Sequence, residues 1–125
     1  MYQPINPKER AQAYQAYTVK LKGSTFIRYA GLLTLAHERG KLSIETELQT
    51  LDREKGFVLF KATATVDLKD GSAVSFTGWG DATPKNVNKM IIPHLIRMAE
   101  TRAKARALRD LVGCPFTAIE ELSND

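Results

Sequence analysis

Three arginines, Arg102, Arg106 and Arg109, stand at i, i+4 and i+7 in a segment with no helix breaker between His94 and Gly113. At 100° per residue they fall within about 60° of one another and form a stripe along a helix. A guanidinium donates two parallel hydrogen bonds, a geometry that matches phosphate and carboxylate. Like charges one turn apart weakly oppose helix formation, so the stripe requires an anionic partner. Backbone phosphates would serve. So would carboxylates of a neighbouring subunit, for which the acidic end (Glu120, Glu121, Asp125) supplies candidates. Arg97 and Lys104, also seven apart, fall on a different side of the same helix. Trp79, set between Gly78 and Gly80, reads either as a packed aromatic or as a platform on which an unpaired base stacks.

Charge is unevenly spread. The net charge is +4, yet residues 85–113 carry seven basic side chains against two acidic ones. Lys85 and Lys89 fall in the first turns after Thr83-Pro84, an N-cap followed by proline at the first helical position. Free N–H groups and the helix dipole make such a start attractive to phosphate. The asymmetry points to a polyanionic partner for this segment.

Other chemistries find no support in the residue pattern. His37 and His94 are the only histidines and lie far apart; there is no HExxH, no Cys/His cluster and no carboxylate set with ligand spacing. No GxGxxG and no GxxxxGK[ST] is present. Glu45 and Glu47 alternate on one face of a strand, where solvation is their ordinary fate. The one cysteine, Cys114, lies between Gly113 and Pro115 without a paired base and reads as a small buried apolar residue. The expectation is therefore no enzyme, no metal and no cofactor. With 125 residues, 43% of them hydrophobic and 26% charged, the chain fits one folded domain. It has no apolar run near the roughly 18 residues of a membrane helix. Its first residues lack the basic and apolar regions of a secretory leader. Single-cysteine usage adds a reducing, cytoplasmic compartment to the expectation.

Periodicity supplies the elements that must hold these residues. Pro4 and Pro7 suggest a loose arm over residues 1–12, with a short helix from Lys8 to Tyr14 as the other option. Residues 17–21 alternate as a strand ending at Gly23. Residues 30–39 (AGLLTLAHER) read as a helix closed by Gly40 at its C-cap. Residues 43–51, 57–67 and 72–79 alternate as three strands, joined by the polar turn 52–56 and the Asp70-Gly71 hairpin signal. Gly78-Trp79-Gly80-Asp81 is read as the end of the sheet. Helical pattern follows to Val112, stopped by Gly113, with a kink or a second start near Ile92 because Pro93 cannot donate. Thr117-Ala118-Ile119-Glu120 has the pattern of a capping box opening a last short helix within the acidic segment 114–125. The fold class is α+β: an antiparallel three- to four-stranded β-meander packed on a long C-terminal helix, with a shorter helix before the sheet, in one domain spanning residues 1–125.

A meander ending in Gly-x-Gly, then a long helix carrying Lys104-Ala105-Arg106-Ala107-Leu108-Arg109, resembles the single-strand annealing proteins of homologous recombination, the Rad fifty-two type and its phage and bacterial relatives. The resemblance covers residues 24–113. The family's lysine just before the first arginine is Ala105 here, one extra residue separates Arg109 from Gly113, and residues 84–94 have no counterpart. The resemblance implies that Arg106 and Arg109 contact a DNA backbone. It further implies ring or helical homo-oligomers and annealing of single-stranded DNA without ATP. In this reading Arg102, Lys104, Arg97, Lys89, Lys85 and Trp79 complete the nucleic-acid-binding set, and no membrane is involved. The order helix, three strands, helix is also that of the double-stranded RNA-binding domain, with Lys85 and Lys89 as a phosphate clamp. A third reading is a structural oligomerisation protein, its arginine stripe paired with a neighbour's acidic end.

Overall fold

The computed structural model describes residue 12, residues 14–84 and residues 92–122. Its centre is an antiparallel sheet of β3 (Lys41–Asp52), β4 (Phe57–Asp67) and β5 (Ala73–Ala82), in that order. The middle strand shows why the sheet forms. Val58, Phe60, Ala62, Ala64 and Val66 are buried on one face, while Lys61, Thr63 and Thr65 lie on the other. A period of two with one apolar face is what a strand with one covered side requires.

The covering element is helix α2 (Ile92–Val112). Leu95, Leu108, Leu111 and Val112 are fully buried on it, each contributing about 1.5–3 kcal/mol of apolar burial. Its alanines, Ala99, Ala103, Ala105 and Ala107, are equally buried and let its backbone approach the sheet. β5 answers with Gly78 and Gly80. A Cβ on either would meet the main chain of α2, at Ala103 and Ala107 for Gly78 and at Ala99 and Ala103 for Gly80. This close approach explains why β5 outruns its expected end at Trp79. The glycines interrupt the visible alternation, but the ladder continues through Gly80 opposite Phe60 and Ala82 opposite Val58.

The N-terminal part is a separate hairpin of β1 (Thr18–Leu21) and β2 (Ser24–Ile27), so the main sheet has three strands and not four. The register pairs Leu21 with Ser24, leaving a two-residue loop, Lys22-Gly23. Both have positive φ, 50° and 82°, the twist a tight hairpin needs. Helix α1 (Tyr29–His37) follows, with Glu38 as its C-cap. Gly40 does not cap it. It sits where a Cβ would strike the main chain of Asp67 and the side chain of Val66, letting the chain enter β3 beside the end of β4.

Beyond α2, Gly113 (φ 72°) turns the chain back along the domain. Ile27 donates its N–H to the Thr117 carbonyl at 3.0 Å, a parallel bridge joins Ile27 to Ala118, and a 3₁₀ turn spans Ile119–Glu121. The expected capping box is displaced by one residue. The Glu121 carboxylate accepts from the Ala118 N–H at 2.9 Å. Tyr14, buried, donates its hydroxyl to the Gly113 carbonyl at 3.0 Å. Among the described residues no helix is long and apolar enough to cross a membrane. Of the arm expected over residues 1–12 only residue 12 is described; Thr83 and Pro84 are described, and the helical turns expected directly after them, residues 85–91, lie outside the described residues.

Candidate nucleic-acid interface

The arginine stripe forms as its spacing demands, but α2 lies so close to β5 that the guanidiniums reach the rim of the sheet. Arg102 is 7% exposed. Its Nε donates to the Glu121 carbonyl at 2.8 Å and its Nη1 to the Asp81 carbonyl at 2.8 Å. Burial pushes its pKa below the usual guanidinium value, Arg106 adds to that, and Asp81 and Glu121 oppose it. Arg102 therefore belongs to the interior of the domain. Of the phosphate-gripping set expected from the stripe, Arg102 is the member the structure places inside the domain, with its Nε and one Nη1 N–H donating to main-chain carbonyls and little of it meeting solvent.

Arg106 is placed differently. Its Nη1 donates to the Trp79 carbonyl at 2.8 Å, its Nε pairs with Glu121 Oε1 at 3.1 Å, and Asp81 stands 4.0 Å from Nη1. Yet 42% of its side chain remains exposed. Arg109 is less open, at 25%, with Nη1 3.9 Å from Glu121 Oε2 and Nη2 donating to the Pro115 carbonyl at 3.3 Å. Glu121, with 4% of its side chain exposed, thus receives two guanidiniums and the Ala118 N–H. Arg106 and Arg109 have an anionic partner within the same chain, the Glu121 carboxylate. Trp79 and Asp81 lie two apart on an edge strand, so their carbonyls share a side. Arg106 and Arg102 close that edge, a task usually left to charged side chains on an edge strand.

The outer face of the sheet carries the feature most open to a ligand. Trp79 is 48% exposed there. Lys61, its cross-strand partner on β4, holds its Nζ 5.8 Å from the indole centroid. Around them the face is hydroxyl-rich: Thr63 lies opposite Thr77, and Thr65 and Ser75 share a 2.8 Å hydrogen bond. The indole and the Lys61 ammonium share this face, with Glu47 across from Lys61 on β3, and Arg106 reaches the same strand at its edge through the Trp79 carbonyl. Sequence reasoning selected Trp79 and Arg106 but missed Lys61. The signal was available, because a hairpin centred on Asp70 places residues 61 and 79 opposite each other.

The remaining basic residues lie elsewhere. Lys104 holds its Nζ 5.7 Å from the Tyr29 ring centroid. Arg97 is exposed and lines a cleft of about 330 Å³ with His94, Met98, Thr101 and Glu120. Burial raises the Tyr29 pKa, with Glu100 and Glu120 adding to the effect. Lys85 and Lys89 lie outside the described residues. Among the described residues no group of three or more His, Cys, Asp or Glu could hold a metal ion. No protein-family model matches the chain, and no curated protein matches it either.

Proposed function

We propose that the chain binds single-stranded DNA on the outer face of its sheet and anneals complementary strands without ATP, in recombination or repair. The observation that carries this reading is the exposed indole of Trp79 with the Lys61 ammonium 5.8 Å from its centroid. An unpaired base has a free π-face to lay on an aromatic ring, whereas a base inside a duplex has none. In this reading the Lys61 ammonium meets a phosphate of the strand stacked on Trp79, and the exposed part of the Arg106 guanidinium at the strand edge supports it. Binding of this kind reads the backbone and the π-face, so it is tolerant of sequence and weakens as salt rises. Bases left unstacked along the strand are free to sample a complement. The cytoplasm and a homo-oligomeric state belong to the same reading.

Trp79→Ala should weaken binding of a labelled single-stranded oligonucleotide by about fivefold to a hundredfold, the loss of one stacked base. Lys61→Gln should lower the slope of log affinity against log salt by about 0.7, one phosphate contact. Fluorescence anisotropy at several salt concentrations measures both. Affinities equal to the parent's in both variants would remove the sheet face from the reading. Preference for duplex RNA over single-stranded DNA would favour the double-stranded RNA-binding order of elements instead.

A further inference from the structure

Stacking on Trp79 and contacts to phosphate do not by themselves tell one base from another. The outer face of the sheet carries one group that can. The register sets Glu47, Lys61 and Trp79 opposite one another in a single row across β3, β4 and β5. Glu47 is exposed, as is Glu45 two residues before it on the same face. Opposite charges that face each other across a ladder ordinarily pair. Among the described residues Lys61 and Glu47 do not. Lys61 keeps its Nζ 5.8 Å from the indole centroid, and Glu47 Oε2 accepts instead from Gln49 Nε2 at 3.2 Å. The carboxylate is held from its own strand and retains acceptor positions for a ligand.

A carboxylate only accepts, so it sorts bases by the N–H groups they offer. Guanine presents its N1–H and a 2-amino N–H side by side on the Watson–Crick edge, and the two match two carboxylate oxygens. Cytosine and adenine present one amino N–H beside a bare ring nitrogen, whose lone pair faces the second oxygen. Thymine presents one N–H between two carbonyls. That edge is free only in an unpaired strand.

We infer that Glu47 makes guanine the preferred base on Trp79, its ring on the indole and its N1–H and 2-amino N–H on the carboxylate. The preference rests on the single-strand reading and adds a base-reading contact to it. Neighbouring strands lie about 4.8 Å apart, so the main chains of Glu47 and Trp79 stand roughly 10 Å apart with Lys61 between them. A purine lying on the indole and pointing toward β3, met by the glutamate side chain, spans that distance. Charge fixes the direction. Glu45 and Glu47 repel phosphate from the β3 side, whereas Lys61 and the exposed part of Arg106 attract it toward β4 and the β5 edge. The sugar-phosphate chain keeps to that side, and the edge of the base is what faces β3.

Fluorescence anisotropy with labelled, short thymine tracts that differ at one central base tests the preference. Guanine at that position should bind the parent about fivefold more tightly than thymine or adenine, the lower end for a bidentate base contact because the face is exposed. Adenine is the control for stacking, since it is a purine too. Hypoxanthine keeps the N1–H but lacks the amino group and should fall between guanine and adenine. Glu47→Gln should bring guanine level with adenine, while the plain thymine tract binds at least as tightly as it binds the parent. Glu47 is exposed, so the circular dichroism of this variant should match the parent's. Guanine no better than adenine on the parent, or a preference that survives Glu47→Gln, overturns the guanine assignment and leaves the stacking reading in place. Trp79→Ala should weaken all the tracts and level them. Tracts that bind Trp79→Ala as they bind the parent would overturn the single-strand reading and the preference together.

Discussion

Gly80→Ala should lower stability by about 3 kcal/mol, the upper part of the range for overpacking, and the midpoint of thermal unfolding by roughly 10 °C. The added methyl group would meet the main chain of Ala99 and Ala103 on α2. Main-chain atoms cannot rotate away as a side chain does, so the whole helix must move outward. That movement would loosen the contacts of Ala99 and Ala103 and draw Arg102 away from the Asp81 carbonyl together. Gly23→Ala provides the comparison. Nothing lies within 4 Å of a Cβ there, and only the positive φ opposes it. Its cost should be about 1 kcal/mol. Thermal denaturation of both variants by circular dichroism separates close packing from backbone strain. Equal losses would contradict the packing of α2 directly on β5.

Glu121→Ala should cost about 2–3 kcal/mol. Loss of one partner of a fully buried ion pair typically costs more, about 3–5 kcal/mol, but 42% of the Arg106 side chain reaches water and recovers part of the loss. The carboxylate receives Arg106, Arg109 and the Ala118 N–H, so its removal releases the 3₁₀ turn from α2 at two points and removes the turn's own cap. Glu121→Gln retains an acceptor for the Ala118 N–H and should lose less. Urea denaturation gives both values. A Glu121→Ala variant as stable as the parent would mean that the 3₁₀ turn is held by its main-chain contacts alone, chiefly Ile27 to Thr117 and Arg102 to the Glu121 carbonyl.

What could be read in the sequence follows from which interactions are local. The alternation of residues 57–67 specifies β4 to the residue, because a central strand with one covered face writes its burial into every second position. The α+β order, the Asp70-Gly71 turn and the end of α2 at Gly113 are local signals too, and the structure has all three. β2 escaped notice because Lys22 adopts a left-handed conformation that its residue type does not announce. The last three residues of β5 were hidden because glycine carries no side chain to display a period.

The arginine stripe shows the boundary most clearly. Its spacing and its need for an anion are local facts. The identity of that anion is not, since Glu121 reaches Arg106 only after Gly113 has reversed the chain and the segment from Thr117 to Ala118 has joined Ile27. The depth of Arg102 depends on two glycines more than twenty residues earlier. Conversely, Trp79 is legible in the sequence as an aromatic between glycines, whereas Lys61 is not marked out, and only the β4–β5 register makes them neighbours.

Trp79 is the sole tryptophan, so its emission reports on the proposed site alone. Titration of the parent protein with an unlabelled single-stranded oligonucleotide, and separately with the matching duplex, at low and high salt, tests the central claim most directly. Stacking on the indole should quench its emission with the single strand, far less with the duplex, and at higher oligonucleotide concentration as salt rises. Emission unchanged by a single strand, under conditions where an independent measurement shows it bound, would contradict the account.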